Sequence, residues 1–130
     1  MQERPPVQRN SVNRLTQTVI GCAYKVANTL GPGFLEKVYE NALSHELRKA
    51  GLKVVQQYPM AVIYDGVVVG DYAADILVEE KVVIELKAVR AIDALHVAQC
   101  LNYLKATGLK IGLILNFATR RLQIKRLVVD

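Results

Sequence analysis

The chain has no tryptophan, and aromatic residues make up only 6% of its 130 positions. A core must therefore be assembled from aliphatic side chains, and an apolar content of 52% supplies enough of them to exclude a disordered chain. Cysteine is nearly as scarce. Cys22 and Cys100 lie far apart, in neither a C-x-x-C nor a zinc-ligand spacing, and each falls within an apolar helical pattern. Both are expected to be small, buried, reduced thiols. Long apolar runs are missing too: Glu85 and Lys87 interrupt the best candidate, which leaves nothing close to the ~18 residues of a membrane span. The opening Met1-Gln2-Glu3-Arg4-Pro5-Pro6 carries no apolar targeting segment. The expectation is a cytoplasmic protein with no membrane contact. Internal repeats and low-complexity segments are also absent. What is present in excess is positive charge: a formal net charge of +5 and a pI near 9.3 suit a polyanionic partner such as nucleic acid.

A chain of this length buries one core. Residues 1–10 combine prolines with polar residues and are expected to form a flexible arm, leaving 11–130 as a single domain. From Asn10 or Ser11, Val12, Leu15, Val19, Ala23, Val26 and Leu30 recur at three- and four-residue intervals, the period of an amphipathic helix. Gly31-Pro32-Gly33 ends it. A second helix is predicted from about Phe34 to Ala50, burying Leu35, Val38, Ala42, Leu43 and Leu47. The period then shortens toward two through Val54-Val55, Ala61 to Tyr64, Val67 to Val69 and Ala73 to Ala88, with Asp65-Gly66 as a hairpin turn. A third helix is predicted from Ile92 or Asp93 to Thr107, with Ala94, Val97, Ala98, Leu101 and Leu104 inward. Lys110 to Phe117 is apolar enough for a strand covered on both faces, and Leu122 to Val129 forms the last strand. This order describes an α/β fold, a mixed β-sheet flanked by helices.

One strand breaks the core pattern. In Val82-Val83-Ile84-Glu85-Leu86-Lys87, the two charges share one face of the strand and the apolar residues share the other. Removing a carboxylate and an ammonium from water is costly unless they are paired, hydrogen-bonded or bound to a metal. Asp75 on the preceding strand is a candidate companion. A three-residue loop at Glu79-Glu80-Lys81 sets Asp75 opposite Glu85; a two-residue turn shifts the register by one and turns Asp75 away, unless a bulge restores it. The expectation is the convergent register or a bulge. Converging carboxylates suit a hard cation, Mg²⁺ or Mn²⁺, beside which Lys87 can orient a water or offset phosphate charge. His96, Gln99 and Tyr103 share a face of the third helix, away from its predicted apolar stripe. Gln99 and Tyr103 are candidates to hold a water, Lys87 or a phosphate, whereas His96 reads as a surface or packing residue.

Gly33-Phe34-Leu35-Glu36-Lys37-Val38-Tyr39 reproduces the pattern G-x-x-E-x-x-Y, and Asp75, then Glu85-Leu86-Lys87, then Gln99-Cys100-Leu101-Asn102-Tyr103 follow as D…E-x-K…Q-x-x-x-Y. In this order the chain resembles the RecB-like PD-(D/E)xK nucleases, and within that superfamily the GxxExxY family, from about residue 12 to 130. The resemblance implies a restriction-endonuclease-like core with the Asp and the E-x-K on adjacent strands. It implies a metal set of Glu36, Asp75, Glu85 and the Leu86 backbone carbonyl. The implied catalytic residues are Glu36, Asp75, Glu85, Lys87, Gln99 and Tyr103, Lys87 assisting the water and Gln99 with Tyr103 completing the pocket.

The leading expectation is a nuclease, dependent on Mg²⁺ or Mn²⁺, that hydrolyses nucleic acid, DNA before RNA. Lys105, Lys110, Arg120, Arg121, Lys125 and Arg126 are candidate backbone contacts. The alternative is a non-catalytic module that binds nucleic acid or protein on a nuclease-like fold. A third reading is a homo-oligomeric scaffold, at its simplest a homodimer, in which strand 122–129 pairs with a second copy through an exposed edge.

Overall fold

The computed structural model describes residues 6–130. Residues 1–5 of the expected arm lie outside the described residues, and the first helix, α1 (Pro6–Leu30), starts earlier than Asn10. Its inward stripe is the predicted one, with Val12, Leu15, Val19, Ala23 and Val26 buried. There follow α2 (Glu36–Lys49), β1 (Val54–Tyr64), β2 (Val67–Val78), β3 (Val82–Lys87), α3 (Ala94–Thr107), β4 (Ile111–Asn116) and β5 (Gln123–Val128). The five strands form one sheet in sequence order. Only β3 and β4 run parallel. A parallel pair needs a crossover, which α3 supplies.

The sheet lies between two helical layers. Ile84 and Leu86 of β3 with Leu113 and Leu115 of β4 pack against α1 and α2, while Val83 and Ile114 pack against Cys100 and Leu104 of α3. Every residue of β4 is buried, as its unbroken apolar run predicts. Gly112 lets α3 lie close on that strand. A Cβ there would stand 2.8 Å from Cys100 Sγ and 3.3 Å from Leu104 Cδ1. At the start of α3 the Asp93 carboxylate accepts the His96 N–H while the His96 ring accepts the Asp93 N–H. His96 thus closes a capping box.

The β1–β2 hairpin turns at Asp65 and Gly66, with φ of 52° and 76°, the two left-handed positions of a type I′ turn. It reaches past the rest of the sheet, because β3 pairs with β2 only from Ile76 to Val78. Ile63, Tyr64, Val67, Val68, Val69 and Tyr72 are exposed along this projecting ribbon.

Three expectations about packing need correction. Leu35 and Val38 are 81% and 39% exposed, since Leu35 is the extended N-cap residue and α2 buries Tyr39, Leu43 and Leu47 instead. Tyr39 claims the inward position by stacking on Phe117, with ring centroids 4.6 Å apart, and by donating its hydroxyl to the Gly31 carbonyl at 2.6 Å. On α3, Tyr103 is buried in the core, whereas Ala94 and Ala98 are exposed. The ring of Tyr103 is apolar, and its hydroxyl is satisfied by backbone groups described below. Of the two free thiols Cys100 is buried and Cys22 only half-buried.

Candidate active site at the β2–β3 opening

The loop between β2 and β3 sets the register on which the site depends. Glu79 and Glu80 take φ of 52° and 56°, and the Lys81 N–H donates to the Val78 carbonyl. Val78 then pairs with Val82, Leu77 with Val83 and Ile76 with Ile84. This is the three-residue-loop register, in which Asp75 is next in line to face Glu85. The ladder stops there. Instead of a backbone rung, Asp75 Oδ2 accepts the Leu86 N–H at 2.7 Å, so a carboxylate satisfies the donor that an intact strand would have paired.

The side-chain alternation of β1 and β2 inverts at the same place. Gln56 and Ile76 are partners on the α2 side, yet Tyr58 and Ala74, the next partners, lie on the α3 side. Between them stand Gln57, at φ 53°, and Asp75. The Gln57 carboxamide donates to Glu40 Oε1 at 2.7 Å and reaches Asp75 Oδ1 at 3.4 Å. Glu40, only 3% exposed, also accepts from Gln56 at 2.7 Å and pairs with Lys37 at 2.9 Å.

Burial and crowding disfavour ionisation here. Burial, then the Asp75 charge beside it, pushes Glu85 from 4.5 up to about 8, against a smaller opposing pull from Lys87. Asp75 is also raised, by burial first; the Leu86 N–H opposes that shift, Glu40 adds to it, and Gln57 and Lys87 oppose it. On the α3 side, burial and the Glu85 charge push the Cys100 thiol up to about 12, which marks that thiol as an unreactive packing group. Lys87 is half-buried and, among the described residues, makes no ion pair. Its ammonium is available to a water or a phosphate.

Asp75, Glu85 and Lys87 are thus brought together. Glu36 is the exposed first residue of α2, one turn before Glu40 on the same helix face. Gln99 is exposed and lines a groove of about 480 Å³ with Met60, Ile63, Tyr72 and Tyr103. Tyr103 accepts the Ala74 N–H at 3.3 Å and donates to the Tyr58 carbonyl at 2.8 Å, so its hydroxyl holds α3 against the hairpin. Two residues escaped the sequence reading, Glu40 and Gln57. Their signals were a second glutamate four positions after Glu36, and the adjacent pair Gln56-Gln57, which breaks strand alternation.

Among the described residues no three His, Cys, Asp or Glu side chains are gathered to hold a cation by themselves. The donor chemistry nevertheless fits a hard ion, because two crowded carboxyl groups, one kept protonated to about pH 8, gain most from a divalent countercharge. No described helix is long and apolar enough to cross a membrane.

No curated protein matches the sequence. Among solved structures, the one titled "Crystal structure of SSO0001" superposes with a TM-score of 0.54 at 18% identity, over 73% of this chain and 52% of that one. At that identity the likeness concerns the fold, and the chain spans about half the length of that structure's chain. A family model described as the PD-(D/E)XK nuclease superfamily matches residues 13–127. With its mixed sheet, its flanking helices and an Asp facing an E-x-K strand, the chain belongs to the PD-(D/E)XK nuclease superfamily.

Proposed function

We propose that this chain is a divalent-metal-dependent nuclease that hydrolyses phosphodiester bonds, in DNA first. The observation that carries the reading is the meeting of Asp75 and Glu85 where the β2–β3 ladder opens, with Lys87 unpaired among the described residues on the same strand. Asp75, Glu85 and the Leu86 carbonyl are the groups that would hold Mg²⁺ or Mn²⁺. That carbonyl points to the same side of β3 as the Leu86 N–H, toward the gap. Glu40 on α2 is linked to Asp75 through the Gln57 amide, and Glu36 stands one turn before it on the same helix. An ion held there would supply Lewis acidity toward a phosphate oxygen. Lys87 orients the attacking water and offsets charge that builds on the phosphate during displacement. The Gly33, Glu36 and Tyr39 pattern supports the finer assignment to the GxxExxY family.

Labelled linear single- and double-stranded DNA, incubated with Mn²⁺ or Mg²⁺, tests the reading. The natural protein is expected to cut, and both Lys87→Ala and a chelator are expected to abolish cutting. Equal activity in Lys87→Ala would place the chemistry elsewhere. Absence of cleavage by a folded, metal-loaded protein would favour the binding module.

A further inference from the structure

Of the four non-glycine residues with positive φ among the described residues, Asp65, Glu79 and Glu80 sit at chain turns, where left-handed backbone closes the loop. Gln57 is inside a strand. Its φ of 53° crowds Cβ against the backbone, and no turn accounts for it. What it changes is the direction of one side chain. Val55 packs on the α3 side and Gln56 on the α2 side, so regular alternation would send Gln57 back toward α3. The left-handed step turns it toward α2 instead, and two successive carboxamides then meet Glu40, each at 2.7 Å.

We infer that Gln57 is a positioning residue of the active site, its strained backbone setting one carboxamide between Glu40 and Asp75. The inference rests on the nuclease reading above for its function, though not for its geometry. The Leu86 N–H holds Oδ2 of Asp75 at 2.7 Å, and the Gln57 amide stands 3.4 Å from Oδ1 as a neutral donor facing the second oxygen. Each oxygen keeps a lone pair for a cation. The amide also stands between two like charges with a donor directed at each. Neutral donors orient ligating carboxylates without competing for the ion, the usual office of groups that stand behind a metal's own ligands.

Gln57→Gly removes the backbone strain and the amide together. Gln57→Asn tolerates left-handed backbone and keeps an amide one methylene shorter. Mn²⁺ binding by calorimetry, thermal melting, and cleavage as a function of Mn²⁺ are compared for both variants and the natural protein. The expected result for Gln57→Gly is an unchanged or higher melting temperature with a Mn²⁺ dissociation constant raised about tenfold, the lower end of the usual effect of losing such a group. Cleavage at saturating Mn²⁺ should stay within about threefold, so the loss appears in the metal dependence and not in kcat. Gln57→Asn is expected to recover part of the affinity. Natural affinity in both variants overturns the inference, and so does a melting temperature that falls while metal affinity holds, the mark of a purely structural residue. Binding is read without turnover, so a natural protein that takes up Mn²⁺ but cuts no nucleic acid refutes the nuclease reading, while Gln57 is still judged by the same titration.

Discussion

Glu85 keeps its proton to about pH 8 because burial and Asp75 both oppose its ionisation, and this has a definite sign for stability. Below the ordinary carboxyl value of 4.5 the folded and unfolded chains are both protonated, and the group costs nothing. Between that value and about 8 the unfolded chain gives up a proton that the folded chain retains, so stability falls as pH rises, by up to about 1.4 kcal/mol per unit. Urea denaturation of the metal-free protein should give a smaller unfolding free energy near pH 8 than near pH 5. Glu85→Gln should flatten that slope, and Mn²⁺ should raise the melting temperature more at the alkaline end. A flat profile for the natural protein would contradict this account of the site. Tyr103 makes a contrasting case. Its hydroxyl already serves the Tyr58 carbonyl and the Ala74 N–H, so Tyr103→Phe should cost about 1–3 kcal/mol of stability, read by the same denaturation. Cleavage at saturating metal should stay within about threefold; a much larger loss would assign the hydroxyl to catalysis. Sequence spacing offers Asp75, Glu85 and Lys87 as candidates because strand alternation carries that information. It missed Glu40 and Gln57 because a single left-handed residue redirects a side chain, and no periodicity announces such a step.

Helices and strands were legible to within a few residues wherever one period dominated, as in the stripe of α1 and the unbroken apolar run of β4. The inward face of α2 was not. Its aliphatic residues suggested Leu35 and Val38, but Tyr39 is anchored by a carbonyl and by the Phe117 ring, contacts that exist only once the tertiary fold forms. The same holds for α3, whose approach to β4 depends on Gly112. Gly112→Ala places a methyl group 2.8 Å from Cys100 Sγ and should cost about 1–3 kcal/mol through overpacking. Combining it with Cys100→Ala removes the obstructing sulfur and should return part of that loss. Thermal melting of the two single variants and the double variant measures the coupling. Additive losses would show that α3 does not rest on β4 at this point.

At the scale of the molecule, the net charge of +5 predicts that the proposed nucleic-acid binding is driven by counterion release. If the six basic residues named above all meet phosphates, affinity for a DNA fragment should fall about a thousandfold between 50 mM and 200 mM salt, with little dependence on sequence. Fluorescence anisotropy at several salt concentrations measures the slope, and insensitivity to salt would argue against a backbone-gripping surface. The sheet itself is less uniform than its five-strand order suggests. The β1–β2 ribbon joins the β3–β4–β5 block through three residue pairs, Ile76 with Ile84, Leu77 with Val83 and Val78 with Val82. Beyond them the sheet's own pairing gives way to side chains: the Asp75 carboxylate takes the Leu86 N–H, while Glu40 of α2 and the Tyr103 hydroxyl of α3 hold the ribbon from its two faces. Mechanically these are two plates sewn along a short seam, with Asp75 on one plate and Glu85 on the other. The gape between the two carboxyl groups is therefore set by the flex of the stitching, and a load that bends the ribbon is delivered at the point where the chemistry is proposed to occur.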